Sequence, residues 1–241
     1  MYEPIIKRQN LISLDEVSHT YTLKNSEIKF NSVTEFIGGF FQPFDEQEVA
    51  KKLTQLNKYK GQSINDILNE WEQRRNRGTI VHREIEDFII ERNANGKRDS
   101  LYNLDLKTQQ AIKFLNKCNI YKNNLIFPEV RVFSEELRLA GTIDLIIYNK
   151  PKNEISIIDW KTNVEIKKRG YRNGTKSATK NIEDCSFNKY ELQLSMYRYI
   201  LENFYKARVA GTYILHLKDE GFQYLKCEFR SKEILSMLQE R

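Results

Sequence analysis

The stretch Ala140-Gly141-Thr142-Ile143-Asp144-Leu145-Ile146-Ile147, followed after a short polar turn by Ile155-Ser156-Ile157-Ile158-Asp159-Trp160-Lys161-Thr162, reads as two buried β-strands that nevertheless carry two aspartates and a lysine. Charge inside a strand is expensive unless something compensates it. Two explanations are open, an ion pair or a metal site. Alternate strand residues face opposite sides, so Ile155, Ile157, Asp159 and Lys161 share one face while Ser156, Ile158 and Trp160 share the other. Asp144 falls beside Asp159 if the hairpin pairs near its polar end, a register the sequence leaves open. Two such carboxylates repel unless a cation lies between them. Asp-x-Lys alone carries little weight, because Glu27-Ile28-Lys29, Asp105-Leu106-Lys107 and Glu165-Ile166-Lys167 share the spacing. What separates Asp159-Trp160-Lys161 is its place at the end of an apolar strand, directly after another strand bearing a lone aspartate.

Working outward, strands are expected over Leu125 to Ser134, Leu137 to Tyr148 and Glu154 to Thr162, the first two joined through Glu135-Glu136. A polar, basic loop leads to a helix from about Tyr190 to Tyr205. Strands at Ala210 to Leu217 and Gly221 to Phe229, then a short helix, complete the chain. Upstream, His19 to Leu23 and Ile28 to Phe30 read as a hairpin, and Asn31-Ser32-Val33-Thr34 as the N-cap of a short helix. Helical spacing covers about Glu46 to Lys58 and Ser63 to Arg75, with Ile64, Ile67, Leu68 and Trp71 on one stripe. Gly78-Thr79 is expected to open a further helix with Val81, Ile85, Phe88 and Ile89, and Leu106 to Asn116 to form another. The order predicts a mixed α/β arrangement rather than a repeating βαβ array. One domain over residues 1–241 is expected, its helical part (1–120) elaborating a mixed-sheet core (121–241).

Composition is that of an ordinary globular protein, 40% hydrophobic and 30% charged with ten glycines and four prolines, which excludes disordered and repetitive classes. No run is long enough to span a bilayer, and the start MYEPIIKRQN lacks an apolar signal segment, so a cytoplasmic location is expected. Cys118, Cys185 and Cys227 are isolated and indicate neither a disulfide framework nor a thiolate zinc site. The formal charge of +6 suits a polyanionic partner such as nucleic acid.

Further polar residues surround the strand motifs. His82 is expected on a helix with Glu86 one turn on, Glu129 on the strand paired with that of Asp144, and Gln193 and Tyr197 one turn apart on the late helix. A lone helical histidine is ordinarily a surface or packing residue; His19 and His216 are read that way, and Trp71 as a helix-packing residue. Taken in order, Ser32-Val33-Thr34, Gly78-Thr79-Ile80-Val81-His82, Glu129, Gly141-Thr142-Ile143-Asp144, Asp159-Trp160-Lys161-Thr162 and Gln193-Leu194-Ser195-Met196-Tyr197 form a series. That series resembles the PD-(D/E)XK nuclease superfamily, and within it the RecB-like exonuclease group, which includes many phage nucleases and the mitochondrial genome maintenance exonuclease.

The resemblance implies a restriction-endonuclease-like core with His82, Asp144 and Asp159 binding divalent metal, helped by the Trp160 main-chain carbonyl, and Lys161 as the catalytic lysine. It implies that Glu129 holds metal through water, that Gln193 and Tyr197 orient the site and touch DNA, and that Ser32 and Thr34 contact the nucleic-acid backbone. Oxygen ligands suit Mg²⁺ or Mn²⁺, and a histidine nitrogen favours Mn²⁺ somewhat more. Some relatives hold an iron–sulfur cluster on four cysteines; three scattered cysteines lead us to expect none. The loop from Asn163 to Lys189, with Lys167, Lys168, Arg169, Arg172 and Lys176, reads either as a substrate grip or as a solvated flexible loop; Arg74, Arg75 and Arg77 form a second basic cluster. The expected activity is metal-dependent DNA exonuclease action on single strands or ends, in phage or bacterial replication, recombination or repair. Its rivals are a single-strand or structure-selective endonuclease, an idle DNA-binding module, and a subunit needing a partner. No phosphate-binding Gly-x-x-x-x-Gly-Lys loop is present in the sequence, so any helicase or recombinase would be a separate protein.

Overall fold

The structure, a computed structural model, describes residues 2–18, 20–96 and 103–241. His19 lies outside the described residues. The chain opens with α1 (Glu3–Gln9) and an antiparallel meander of β1 (Ile12–Asp15), β2 (Thr20–Leu23) and β3 (Lys29–Ser32). The expected hairpin is β2–β3; α1 and β1 are short additions, and β1 buries just Ile12, too little pattern to read. Ser32 then caps α2 (Val33–Gly38): its hydroxyl accepts the Glu35 N–H while the Glu35 carboxylate accepts the Ser32 N–H.

Asp45 caps α3 (Glu46–Leu53), and a capping box between Ser63 and Asp66 starts α4 (Ile64–Asn95). This long helix corrects the sequence reading. Gly78 does not open a helix; α4 runs through it without a break, so His82 lies eighteen residues in rather than one turn from an end. The physical reason is a close approach. A Cβ on Gly78 would stand 2.9 Å from Thr162 Oγ1, so the glycine lets the helix lie against the end of a strand. Asp105 caps α5 (Leu106–Lys117).

Next come β4 (Asn124–Ser134), β5 (Leu139–Asn149) and β6 (Glu154–Lys161), successive antiparallel neighbours, then α6 (Ser186–Phe204), β7 (Val209–Leu217), β8 (Phe222–Cys227) and α7 (Ser231–Gln239). Because α6 carries the chain across, β7 returns parallel to β6. Among the described residues the sheet is eight-stranded and mixed, in the order β1-β2-β3-β5-β6-β7-β8, with β4 on β5. Helices flank both faces. Leu194, Met196 and Leu201 of α6 pack with Val33 and Ile37 of α2 over Val132, Ile157 and Ile214. Val81, Ile85 and Phe88 of α4 pack with Ile112 and Leu115 of α5 over Leu145, Ile158 and Trp160. The result is the α/β, restriction-endonuclease-like arrangement that the resemblance implies.

Two irregularities position the polar residues. A strand has two edges, and β4 takes one edge of β5 along ten residue pairs. On the other edge β3 pairs at Leu139 and Ala140, while β6 pairs from Leu145 to Asn149. Gly141 to Asp144 therefore lie at a fork between two partner strands. Moreover, Ile143 packs on the α6 side and Leu145 on the α4 side, so the alternation of β5 slips by one at Asp144. Opposite it on β4, Glu129 has a left-handed φ of 46°, between the regular pairs Pro128–Leu145 and Val130–Ile143. Such a backbone costs on the order of 1 kcal/mol for a residue with a Cβ.

Candidate active site

The fork gathers charges that no local element could bring together. Asp144 is nearly buried, and its Oδ2 accepts the Trp160 main-chain N–H at 2.7 Å, which ties β5 to β6 just beyond their last regular pair, Leu145–Ile158. His82 reaches in from α4, its Nδ1 3.7 Å from both Glu129 Oε1 and Asp144 Oδ2. One ligand atom from each of His82, Glu129 and Asp144 lies within 4.8 Å of the other two. On β6, Asp159 and Lys161 share a face as the alternation predicts, and Asp159 Oδ2 lies 2.6 Å from Lys161 Nζ. The ion pair of the opening stretch is thus present, and beside it stands a cluster whose composition could hold a metal.

The electrostatics follow from burial. Removal from water pushes Asp159 up to about 6, although Lys161 pulls the other way, and Asp144 is raised for the same reason despite His82. Burial depresses His82 and Lys161, but the carboxylates outweigh it. Asp144 and Glu129 lift His82 to about 9, and Asp159 and Asp144 raise Lys161. Lys161 is thus a fixed positive charge. Its Nζ also sits 4.4 Å from the Tyr190 ring centre, and the Tyr190 hydroxyl accepts from Asn163 Nδ2 at 3.3 Å. Three carboxylates against one lysine and one histidine, with two aspartates raised by burial, form a donor set that a divalent cation would relieve. The residues present fit such an ion, with His82, Glu129 and Asp144 nearest to a common centre.

Residues 106–236, over half of the chain, match the sequence profile of the PD-(D/E)XK nuclease superfamily. The chain belongs to that superfamily. A search of curated proteins found no match. PD-(D/E)XK nucleases use divalent metals, and this one carries a cluster able to hold one. The matched segment begins at α5, so His82, Ser32 and Thr34 lie outside it; the fold brings His82 to Glu129 and Asp144, and Thr34 to Gln193.

Around the cluster, Gln193 Nε2 donates to Thr34 Oγ1 and Tyr197 Oη, each at 3.3 Å. Tyr197 is buried against β5, and a Cβ on Gly141 would meet its ring at 2.6 Å. The glycine three residues before Asp144 is there for the tyrosine. Thr34 and Gln193 link α2 to α6, whereas Ser32 is occupied as the α2 cap.

The basic residues separate into free and engaged. Arg77 grips Asp105 and Asp219, Arg75 binds Glu46 at 2.7 Å, and Arg74 binds Glu70. The loop after β6 is built rather than loose. Arg169 pairs with Glu183, Arg172 and Lys189 with Asp184, and Lys176 lies over the Phe40 ring. Lys168 lies over Phe187, and Lys167 makes no ion pair among the described residues. Sequence reasoning missed Tyr190, which looks like one more aromatic of a helix, and Lys107, whose ammonium donates to the Thr162 carbonyl. The spacing Tyr190, Gln193, Tyr197 at i, i+3, i+7 is the signal that could have found the first.

Proposed function

We propose that this chain is a Mg²⁺- or Mn²⁺-dependent deoxyribonuclease of the RecB-like group, acting as an exonuclease on single strands or DNA ends. The observation that carries the proposal is the trio of His82, Glu129 and Asp144 beside the Asp159–Lys161 pair at the strand fork. The +6 charge suits a polyanionic substrate. The whole chain, residues 1–241, works as one domain in the cytoplasm of a bacterial or phage-infected cell, alongside any separate helicase or recombinase.

In hydrolysis, water oxygen forms a bond to phosphorus, the phosphorus–oxygen ester bond breaks, and the leaving oxygen takes a proton. The divalent ion supplies charge neutralisation and a more acidic water. Asp144, Asp159, His82 and the Trp160 carbonyl would hold it, and Glu129, grouped with His82 and Asp144, would join them directly or through water. Lys161, protonated at working pH, donates to the attacking water or to a phosphate oxygen rather than serving as a base. Gln193 and Tyr197 fix the wall against which the strand lies.

Digestion of end-labelled linear single-stranded DNA, with a closed circle in parallel, in Mg²⁺, Mn²⁺ and EDTA, tests the reading. Loss of the linear form alone, requiring metal and abolished by Asp144→Ala, is expected. Cutting of the circle would make the protein an endonuclease, and cutting of neither in any metal would overturn the proposal.

A further inference from the structure

A groove of about 790 Å³ opens beside the candidate active site, between the first half of α4, the chain leading into α3 and the segment after β6. Its walls combine one exposed and two half-buried aromatics, Phe44, Tyr59 and Trp71, with positive charge. Phe44 is 62% exposed, and its ring lies 5.7 Å from that of Trp71, tilted by 44°. Tyr59 stands near them with Lys58 5.6 Å from its ring centre. Of the charged residues lining the groove, six are cationic and two acidic, and Lys58 and Lys167 make no ion pair among the described residues. An exposed large aromatic next to a tryptophan, in a basic trough, wants a ligand that has both flat faces and negative charge.

The groove and the carboxylates share one helix. Trp71, Arg75, Gly78 and His82 fall at i, i+4, i+7 and i+11 of α4 and so form a single stripe along it. Gly78, in the middle, abuts Thr162, the residue after Lys161. From Trp71 to His82 the helix rises about 17 Å, which spans roughly five nucleotides at about 3.4 Å for each stacked base.

We propose that this groove is a stacking track for an unpaired strand of DNA, its bases lying on Trp71 and Phe44 about five nucleotides from the bond that is cut, its phosphates facing Lys58 and Lys167. The track rests on the nuclease reading and adds a source of single-strand selectivity. Bases inside a duplex have their faces covered by neighbours, so only an unpaired strand offers them to Trp71 and Phe44.

The test is made first in EDTA, where binding is read without cleavage. Of the two tryptophans, Trp160 is buried, so quenching of intrinsic fluorescence by oligothymidylate reports on Trp71. Quenching is expected with the wild type and absent in Trp71→Phe. An oligonucleotide with abasic sites at the stacking positions should bind the wild type roughly tenfold more weakly, whereas the double variant Phe44→Ala, Trp71→Ala should bind intact oligothymidylate and abasic strand equally. In Mg²⁺, KM should fall as substrates lengthen through about five nucleotides, a gain that Trp71→Ala loses while kcat holds. Equal binding of abasic and intact strands by the wild type, or equal quenching by blunt duplex, overturns the track. A protein that quenches yet cuts nothing leaves the track standing and sinks the nuclease reading; one that cuts without quenching does the reverse.

Discussion

Lys161 and Asp159 depend on each other. Both are largely withdrawn from water, so removing the lysine strands a buried carboxylate, a change that costs about 3 kcal/mol when nothing replaces the partner. Lys161→Ala is therefore expected to lower stability by about that amount in EDTA, measured by denaturant unfolding, and to abolish cleavage. Saturating Mn²⁺ should return most of the lost stability, since a cation at the cluster also neutralises Asp159. An equal loss with and without Mn²⁺ would show that the ion does not act on Asp159. At this scale the sequence was readable where chemistry was out of place: Asp144, Asp159 and Lys161 stand out because apolar strands have no other use for charge. Glu129 was readable as a partner of Asp144 but not in its left-handed backbone, which nothing about a glutamate announces. Tyr190 was hidden because an aromatic on a helix resembles core.

Among the elements, α4 shows how a glycine can mislead. Read along the chain, Gly78 looks like a break; in space it is a point of contact with Thr162. Glycine to alanine inside a helix ordinarily stabilises by roughly 0.5–1 kcal/mol. Here Gly78→Ala should yield none of that gain in the native background and recover it once Thr162→Ala removes the hydroxyl, a non-additivity that a double-mutant cycle measures. Equal effects in both backgrounds would mean that helix and strand are not in contact. Strand boundaries were legible to within a residue or two from alternating apolar runs, whereas the β5–β6 register was not, because it is fixed by the fork and by Trp160 donating to Asp144. The end of β7 also carries a pH response. His216 is buried, its Nε2 donating to the Asn163 carbonyl at 2.6 Å, and burial holds its pKa below the ordinary 6.5. The unfolded chain thus takes up a proton that the folded one refuses, so stability falls as pH drops below about 6.5. Asp159, raised by burial, acts in the opposite direction over the same range, so the histidine is read as a difference. Between pH 7 and pH 5 the unfolding midpoint of the wild type should fall relative to that of His216→Gln, and parallel profiles would remove His216 from the response.

For the whole molecule, net charge predicted a polyanionic partner but not which cations remain available. Arg77 bridges the α4 helix, the Asp105 cap of α5 and Asp219 between β7 and β8, three places that meet only in the folded chain. Arg77, grouped by sequence with Arg74 and Arg75 as a phosphate contact, is thus engaged as a clamp within the fold. Binding of oligothymidylate should weaken with salt, and Lys167→Ala should reduce the slope by about 0.7 log units per log salt, the contribution of one single-strand phosphate contact. Arg77→Ala should leave the slope unchanged and lower the unfolding midpoint instead; the opposite pattern would reverse the two assignments. The fork in β5 has its own bearing on how the molecule comes apart. The first three strands join the rest of the sheet through two residue pairs, Asn31–Leu139 and Ser32–Ala140, together with the Tyr21–Thr142 hydroxyl contact and a small apolar cluster of Ile12, Tyr21 and Phe30 on Phe133 and Ala140. Partial unfolding that begins at this seam would release β1 to β3 while α2, held by Val33 and Ile37 in the core with α6, keeps Thr34 against Gln193 and β4 to β8 keep their pairing. Amide exchange would then find the N-terminal meander opening as a separate, weaker unit with the carboxylates still in place.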